Sequence, residues 1–138
     1  MKQQLKYQKE ETLGVEEFRE LLVDSTLGER RPVGEIDRLG LMLRHANLIV
    51  TARDGGRLVG VSRSLSDFAF CTYLSDLAVR KSYQKQGIGR ELIRQTKLLA
   101  PRAKIILLSA PAAVRYYPRI GMTRHEHCYI LDDVSDLR

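Results

Sequence analysis

Apolar positions along the chain repeat with two periods, and the switches between them outline its elements. Val15-Glu16-Glu17-Phe18-Arg19-Glu20-Leu21-Leu22 repeats at helical spacing, with its acidic residues in the first turn, where a helix N-terminus favours them. After the charged loop from Gly28 to Gly34, residues Ile36, Leu39, Leu41, Met42 and Leu43 predict a second helix ending near His45. Leu48 to Ala52 and Leu58 to Ser62 read as strands around Asp54-Gly55-Gly56, whose glycines supply the positive φ of a tight hairpin turn. Ser66-Asp67 breaks the second of these, and a third strand, begun by Phe70, runs through Tyr73-Leu74-Ser75-Asp76-Leu77-Ala78-Val79. Leu92, Ile93, Thr96, Leu98 and Leu99 then recur helically up to Pro101, and Lys104 to Ser109 is again an apolar strand. A short helix around Tyr116-Tyr117 and a closing pair of strands around Arg124 to Leu131 complete the order, with Leu5-Lys6-Tyr7 a candidate edge strand. This alternation predicts an α/β layered arrangement.

Chemistry concentrates where the third strand passes into the third helix, at Gln84-Lys85-Gln86-Gly87-Ile88-Gly89-Arg90. A helix N-terminus offers unpaired N–H groups and a partial positive charge, and glycines let an anion approach the backbone. The segment is not a Walker A loop, because Arg90 and Glu91 stand where Lys and Ser/Thr are needed. It fits the dinucleotide fingerprint poorly, because Leu92 replaces the third small residue. Gln84, Gly87 and Gly89, after a strand ending Leu77-Ala78-Val79, fill the fixed places of Gln/Arg-x-x-Gly-x-Gly/Ala, which resembles the acetyl-CoA loop of the GNAT superfamily of N-acetyltransferases. A second stretch, Tyr116-Tyr117-Pro118-Arg119-Ile120-Gly121-Met122, is similar to that family's later signature, and both occur in the family's order.

The resemblance implies the GNAT fold, a mixed and mostly antiparallel sheet flanked by helices, whose central strand splays from its parallel neighbour. It implies that Leu77, Ala78 and Val79 meet the pantetheine and acetyl groups of acetyl-CoA. Gln84, Lys85, Gln86, Gly87, Ile88, Gly89 and Arg90 would take the pyrophosphate. It places Tyr117 where the family's general acid usually falls, also against the cofactor, and Ser109 where many members carry an asparagine that this chain lacks. Asp76 is the leading candidate for a general base acting through water, ahead of Glu35, Asp67 and Cys71. The reaction implied is direct attack of a primary amine on the thioester, and a non-catalytic CoA-binding regulatory module is the alternative.

Size and charge narrow this without deciding it. With 138 residues, 43% of them hydrophobic, the chain suits one domain over residues 1–138. Its formal charge of +6 attracts anions, and Lys81, Lys85 and Arg90 bracket the proposed phosphate loop. No basic stripe with interleaved aromatics argues for nucleic acid, and no apolar run reaches the roughly 18 residues of a membrane span. The N-terminal residues from Met1 to Lys6 lack a signal-like apolar stretch, so a cytoplasmic protein is expected, with dimerisation possible by analogy with the family. Cys71 and Cys128 lack metal or redox spacing, and His125-Glu126-His127 is a poor zinc pattern, so no metal is expected. Glu29, Glu35 and Asp67 are candidates to meet a cationic acceptor, which is otherwise unspecified.

Overall fold

Phe18, Leu21 and Leu22 on one helix and Leu39 and Leu43 on the next form apolar stripes that bury together against one face of a sheet. In the computed structural model, which describes residues 4–138, these helices are α1, Val15–Asp24, and α2, Ile36–His45. The sheet has strands β1 (Leu5–Lys9), β2 (Leu48–Asp54), β3 (Arg57–Ser66), β4 (Cys71–Val79) and β5 (Lys104–Ile106), in that spatial order. All neighbours are antiparallel except β4 and β5, which are parallel. On the other face α3, Ile88–Leu99, buries Ile88 and Leu92 against Val50, Ala52 and Val59, and its Thr96 shares a 2.9 Å hydrogen bond with Ser62. Gly60 permits this approach: a Cβ there would stand 3.1 Å from both Ile88 Cγ2 and Leu92 Cδ1.

The hairpin expected at Asp54-Gly55-Gly56 forms, with Gly55 and Gly56 both at positive φ. Thr96 faces the core as its spacing predicts, but Leu98 and Leu99 lie exposed, because the stripe that meets the sheet is Ile88, Leu92, Thr96 at intervals of one helical turn.

Two compact units divide the chain, residues up to Leu108 and Ser109–Arg138. The second contains α4, Tyr116–Arg119, between short 3-10 turns, Pro111–Ala113 before it and Val134–Asp136 after it. The strands expected around Arg124 to Leu131 do not form among the described residues. Arg124, His125, Glu126 and His127 are consecutive polar positions and the apolar ones follow as a block, so no period of two exists there to choose a face.

Candidate active site

β4 carries two backbone alternations joined by a bulge. Arg63 opposes Asp76 and Ser64 opposes Leu74, which leaves Ser75 as the extra residue. Before the bulge Phe70 O accepts from Lys104 N and Cys71 O from Asp67 N, so even-numbered residues present their amides towards β5 and odd ones towards β3. Beyond it Arg80 N donates to Val59 O of β3, so the order is reversed. Leu77 and Val79 therefore aim their N–H and C=O groups away from β3. β5 pairs only with Cys71 to Tyr73, so this stretch of edge has no strand beside it within the sheet. The Val79 carbonyl instead accepts a 2.9 Å hydrogen bond from Gln84 Nε2, which folds the following loop back onto the strand end.

That loop leads straight into α3. Lys85 has φ 63° and Gly87, the N-cap, φ 85°, so two of its residues are left-handed within three positions. For Gly87 this conformation costs nothing, whereas a β-carbon there is strained whatever space surrounds it. Glu91 N donates to Gly87 O, and the preceding amides of Ile88, Gly89 and Arg90 donate to no acceptor among the described residues. Gln84, Lys85, Gln86, Gly87 and Arg90 are exposed. Such a cradle of N–H donors with basic side chains suits an anion the size of a diphosphate. Its approach is braced by Tyr83, whose hydroxyl donates to Asp54 at the hairpin over 2.5 Å. That hydrogen bond to Asp54 raises the phenol's pKa.

Asp76 stands directly before the open edge and is 0% exposed. One of its oxygens accepts from Arg31 Nε and the other from Arg63 Nε. Arg63 also donates to Met42 O and Ser75 Oγ, each over 2.9 Å, and Arg31 Nη2 donates to Ser75 O over 2.7 Å. Both carboxylate oxygens are thus engaged by cations, and neither is presented to solvent, as a base acting through water requires. Ala78 is likewise turned inward: its methyl lies in the α1–α2 core and its amide faces β3, so it offers nothing to a ligand on the open side.

The remaining candidates lie on other elements. Tyr117 and Ser109 belong to the second unit. Burial pushes the Tyr117 phenol above its ordinary value, with a smaller contribution from Tyr116, whose ring stands edge-on at 5.2 Å. Ser109 donates to Ala110 O over 2.7 Å. Asp67 caps the β3–β4 turn, and the amides of Phe70, Ala69 and Cys71 hold its carboxyl below the usual range. Glu35 pairs with Arg38 on an exposed helix start. Among the described residues no cluster of His, Cys, Asp and Glu is arranged to hold a metal, and no helix is long and apolar enough to cross a membrane.

Sequence reasoning missed Arg31, Arg63 and the bulge. An arginine continuing the strand that begins Leu58-Val59-Gly60-Val61-Ser62 was the available signal, since a buried cation requires a buried anion nearby.

An open edge leads into a helix-capping glycine loop, and comparison with known proteins identifies the family. The model of the acetyltransferase (GNAT) family matches residues 15–122. The chain belongs to the GNAT family. It is 26% identical over 113 residues to the uncharacterized N-acetyltransferase ycf52 of Porphyra purpurea, a match covering 76% of this chain and 63% of that relative's length. A GNAT-family acetyltransferase of Streptococcus pneumoniae superposes with a TM-score of 0.75 at 24% identity, covering 94% of this chain and 99% of the other. The aminoglycoside N-acetyltransferase AAC(6')-Iy, solved with CoA, gives 0.72 at 13% identity over 97% of both chains. At such identities the likeness to these solved structures is one of fold.

Proposed function

We propose that this chain is an acetyl-CoA-dependent N-acetyltransferase that acetylates a primary amine by direct attack, with both units serving one domain. The observation that carries the reading is the continuity of the Leu77–Val79 edge with the N–H cradle at Gly87 to Arg90. A pantetheine arm is peptide-like and needs backbone partners, and a pyrophosphate needs convergent N–H donors. Here the two lie end to end. The family match crosses the division between the units, and a neighbour of the same fold was crystallised with CoA, which supports the same reading.

In this reading acetyl-CoA supplies an activated acyl group, and the chain supplies position and charge. The Leu77 amide donates to the acyl oxygen as negative charge develops there. Gln86, Gly87, Ile88, Gly89 and Arg90 hold the pyrophosphate through main-chain N–H groups, with Lys85 adding its charge, while Gln84 fixes the loop to Val79. Tyr117 gives its proton to the departing thiolate. A phenol is protonated at neutral pH at its ordinary value, as a donor must be, and burial of Tyr117 shifts it further in that direction. Asp76 is a structural anchor. An alkylamine of pKa about 10.4 loses its proton to solvent before attack, a handicap of about 4.6 kcal/mol at neutral pH that its desolvation in the site reduces.

The engagement of both Asp76 oxygens also favours the second reading, a CoA-binding module without turnover. Thiol release from acetyl-CoA with a panel of amines separates the two. An enzyme releases thiol with at least one amine, and a binding module releases none while still binding acetyl-CoA in calorimetry. No binding at millimolar acetyl-CoA eliminates both. Tyr117→Phe is expected to lower kcat about a hundredfold at unchanged acetyl-CoA affinity, and an unaltered rate removes Tyr117 as the acid.

A further inference from the structure

Asp76 already has a full counter-charge in Arg63, its register partner on β3, and both side chains are buried. Arg31 is therefore surplus to charge balance. It comes from the connection between α1 and α2, 45 residues distant in sequence, and its side chain is 20% exposed. Bringing a second guanidinium to one carboxylate carries a desolvation cost and leaves the group with a net positive charge. Anchoring a loop needs one such contact. The Arg31 fork makes two different ones on β4, to the Asp76 carboxylate and to the Ser75 carbonyl.

Ser75 is the bulged residue, and it is gripped at both of its polar ends: Arg31 holds its carbonyl and Arg63 its hydroxyl. The bulge determines which amides reach the open edge. Without it, the alternation that sends Thr72 and Leu74 towards β5 would continue to Asp76 and Ala78, and Leu77 would turn to β3. A clamp on Ser75 therefore fixes the direction of the Leu77 N–H two residues on. The surplus positive charge beside it adds a field that favours negative charge on an acyl oxygen.

We propose that Arg31 is a positioning residue for acyl transfer, clamping the Ser75 bulge so that the Leu77 amide is aimed at the acyl oxygen. This rests on the acetyltransferase reading and extends it to a residue in the loop between the first two helices, which thereby couples that loop to the reacting edge.

Arg31→Lys and Arg31→Ala test this, because each leaves the Asp76–Arg63 pair in place. Three quantities are read: the Leu77 amide resonance in the unliganded protein, the acetyl-CoA dissociation constant, and kcat with the amine that gives the wild type its fastest thiol release. Both variants are expected to move the Leu77 resonance, to bind acetyl-CoA within about threefold of wild type and to lose about tenfold or more in kcat. Methylguanidinium in the buffer should recover part of the rate for Arg31→Ala and none for Arg31→Lys, a response that a loop merely tethered for stability would not give. The proposal is overturned if folded Arg31→Lys keeps the wild-type kcat, or if the Leu77 resonance does not move in either variant. Should the wild type itself fail to bind acetyl-CoA, the acetyltransferase reading falls, and the unliganded Leu77 resonance still decides whether the clamp exists.

Discussion

Two arginine–carboxylate clusters sit on the same sheet with opposite stoichiometry. Around Asp76 one carboxylate serves Arg31 and Arg63, while around Arg53 one guanidinium serves Glu10 and Glu17. The first is sealed, with the Asp76 and Arg63 side chains 0% and 7% exposed. The acids of the second are 14% and 37% exposed. Arg53 ties β2 to the β1–α1 junction and to Gly56 of the hairpin, where no ligand is implied. The same ionic chemistry thus does two jobs. Where the carboxylate is wet, the cluster joins elements and each member retains water as an alternative partner. Where it is dry, Asp76 and Arg63 have no alternative to each other, and the cluster, with the partly exposed Arg31, dictates backbone direction at the edge proposed to bind acetyl-CoA.

The sharpest test of this contrast is to remove the central residue of each. Asp76→Ala leaves Arg63 buried without an anion and should cost about 3–5 kcal/mol in denaturant unfolding. Arg53→Met releases two carboxylates that can turn to water, and should cost about 1–2 kcal/mol. If the two losses were equal, the distinction between sealed and wet clusters would be wrong.

Acid provides a gentler probe. Burial alone would raise the Glu10 pKa, but hydrogen bonds from Arg53, Thr51 and Gln8 outweigh that and hold it at about 2, against an ordinary 4.5. A carboxyl depressed in the folded state stabilises fully above its unfolded value, and that contribution is lost as pH falls from about 4.5 towards 2. Wild type should lose about 1–2 kcal/mol over this window through Glu10, and Arg53→Met should show a flatter dependence. An identical slope in both proteins would detach Glu10 from Arg53.

The smallest effect is expected where burial involves no charge. Ser64 Oγ is buried with no hydrogen-bond partner among the described residues, so Ser64→Ala should leave stability unchanged or raise it by about 0.5–1 kcal/mol. Ser62 shares its hydroxyl with Thr96, so Ser62→Ala should cost about 1 kcal/mol in the same unfolding assay. The reverse order would mean that Ser64 is satisfied by a water.

Much of the fold was legible because local signals agreed. Helical spacing set the start of α1 at Val15 and both ends of α2, and the two glycines after Asp54 set the hairpin. The start of α3 and its free amides were legible too, since an amphipathic helix opening on Gly87 fixes both donors and dipole. Asp76 was not, because its role depends on Arg31 and Arg63, and a sequence does not say which cation will reach a given carboxylate. Nor was the absence of strands around Arg124 to Leu131 legible, where a block of apolar residues after four polar ones resembled strand pairing without its alternation.

By itself, then, the sequence determined the succession of helices and strands from α1 to β5 and the helix-capping loop, all of which follow from the periodicity and backbone freedom of neighbouring residues. The tertiary structure alone decided that Ser75 bulges, that Leu77 rather than Asp76 faces the open edge, and that a loop arginine holds it so. Those outcomes depend on pairing between strands and on charges excluded from water, which arise only between residues far apart in the chain.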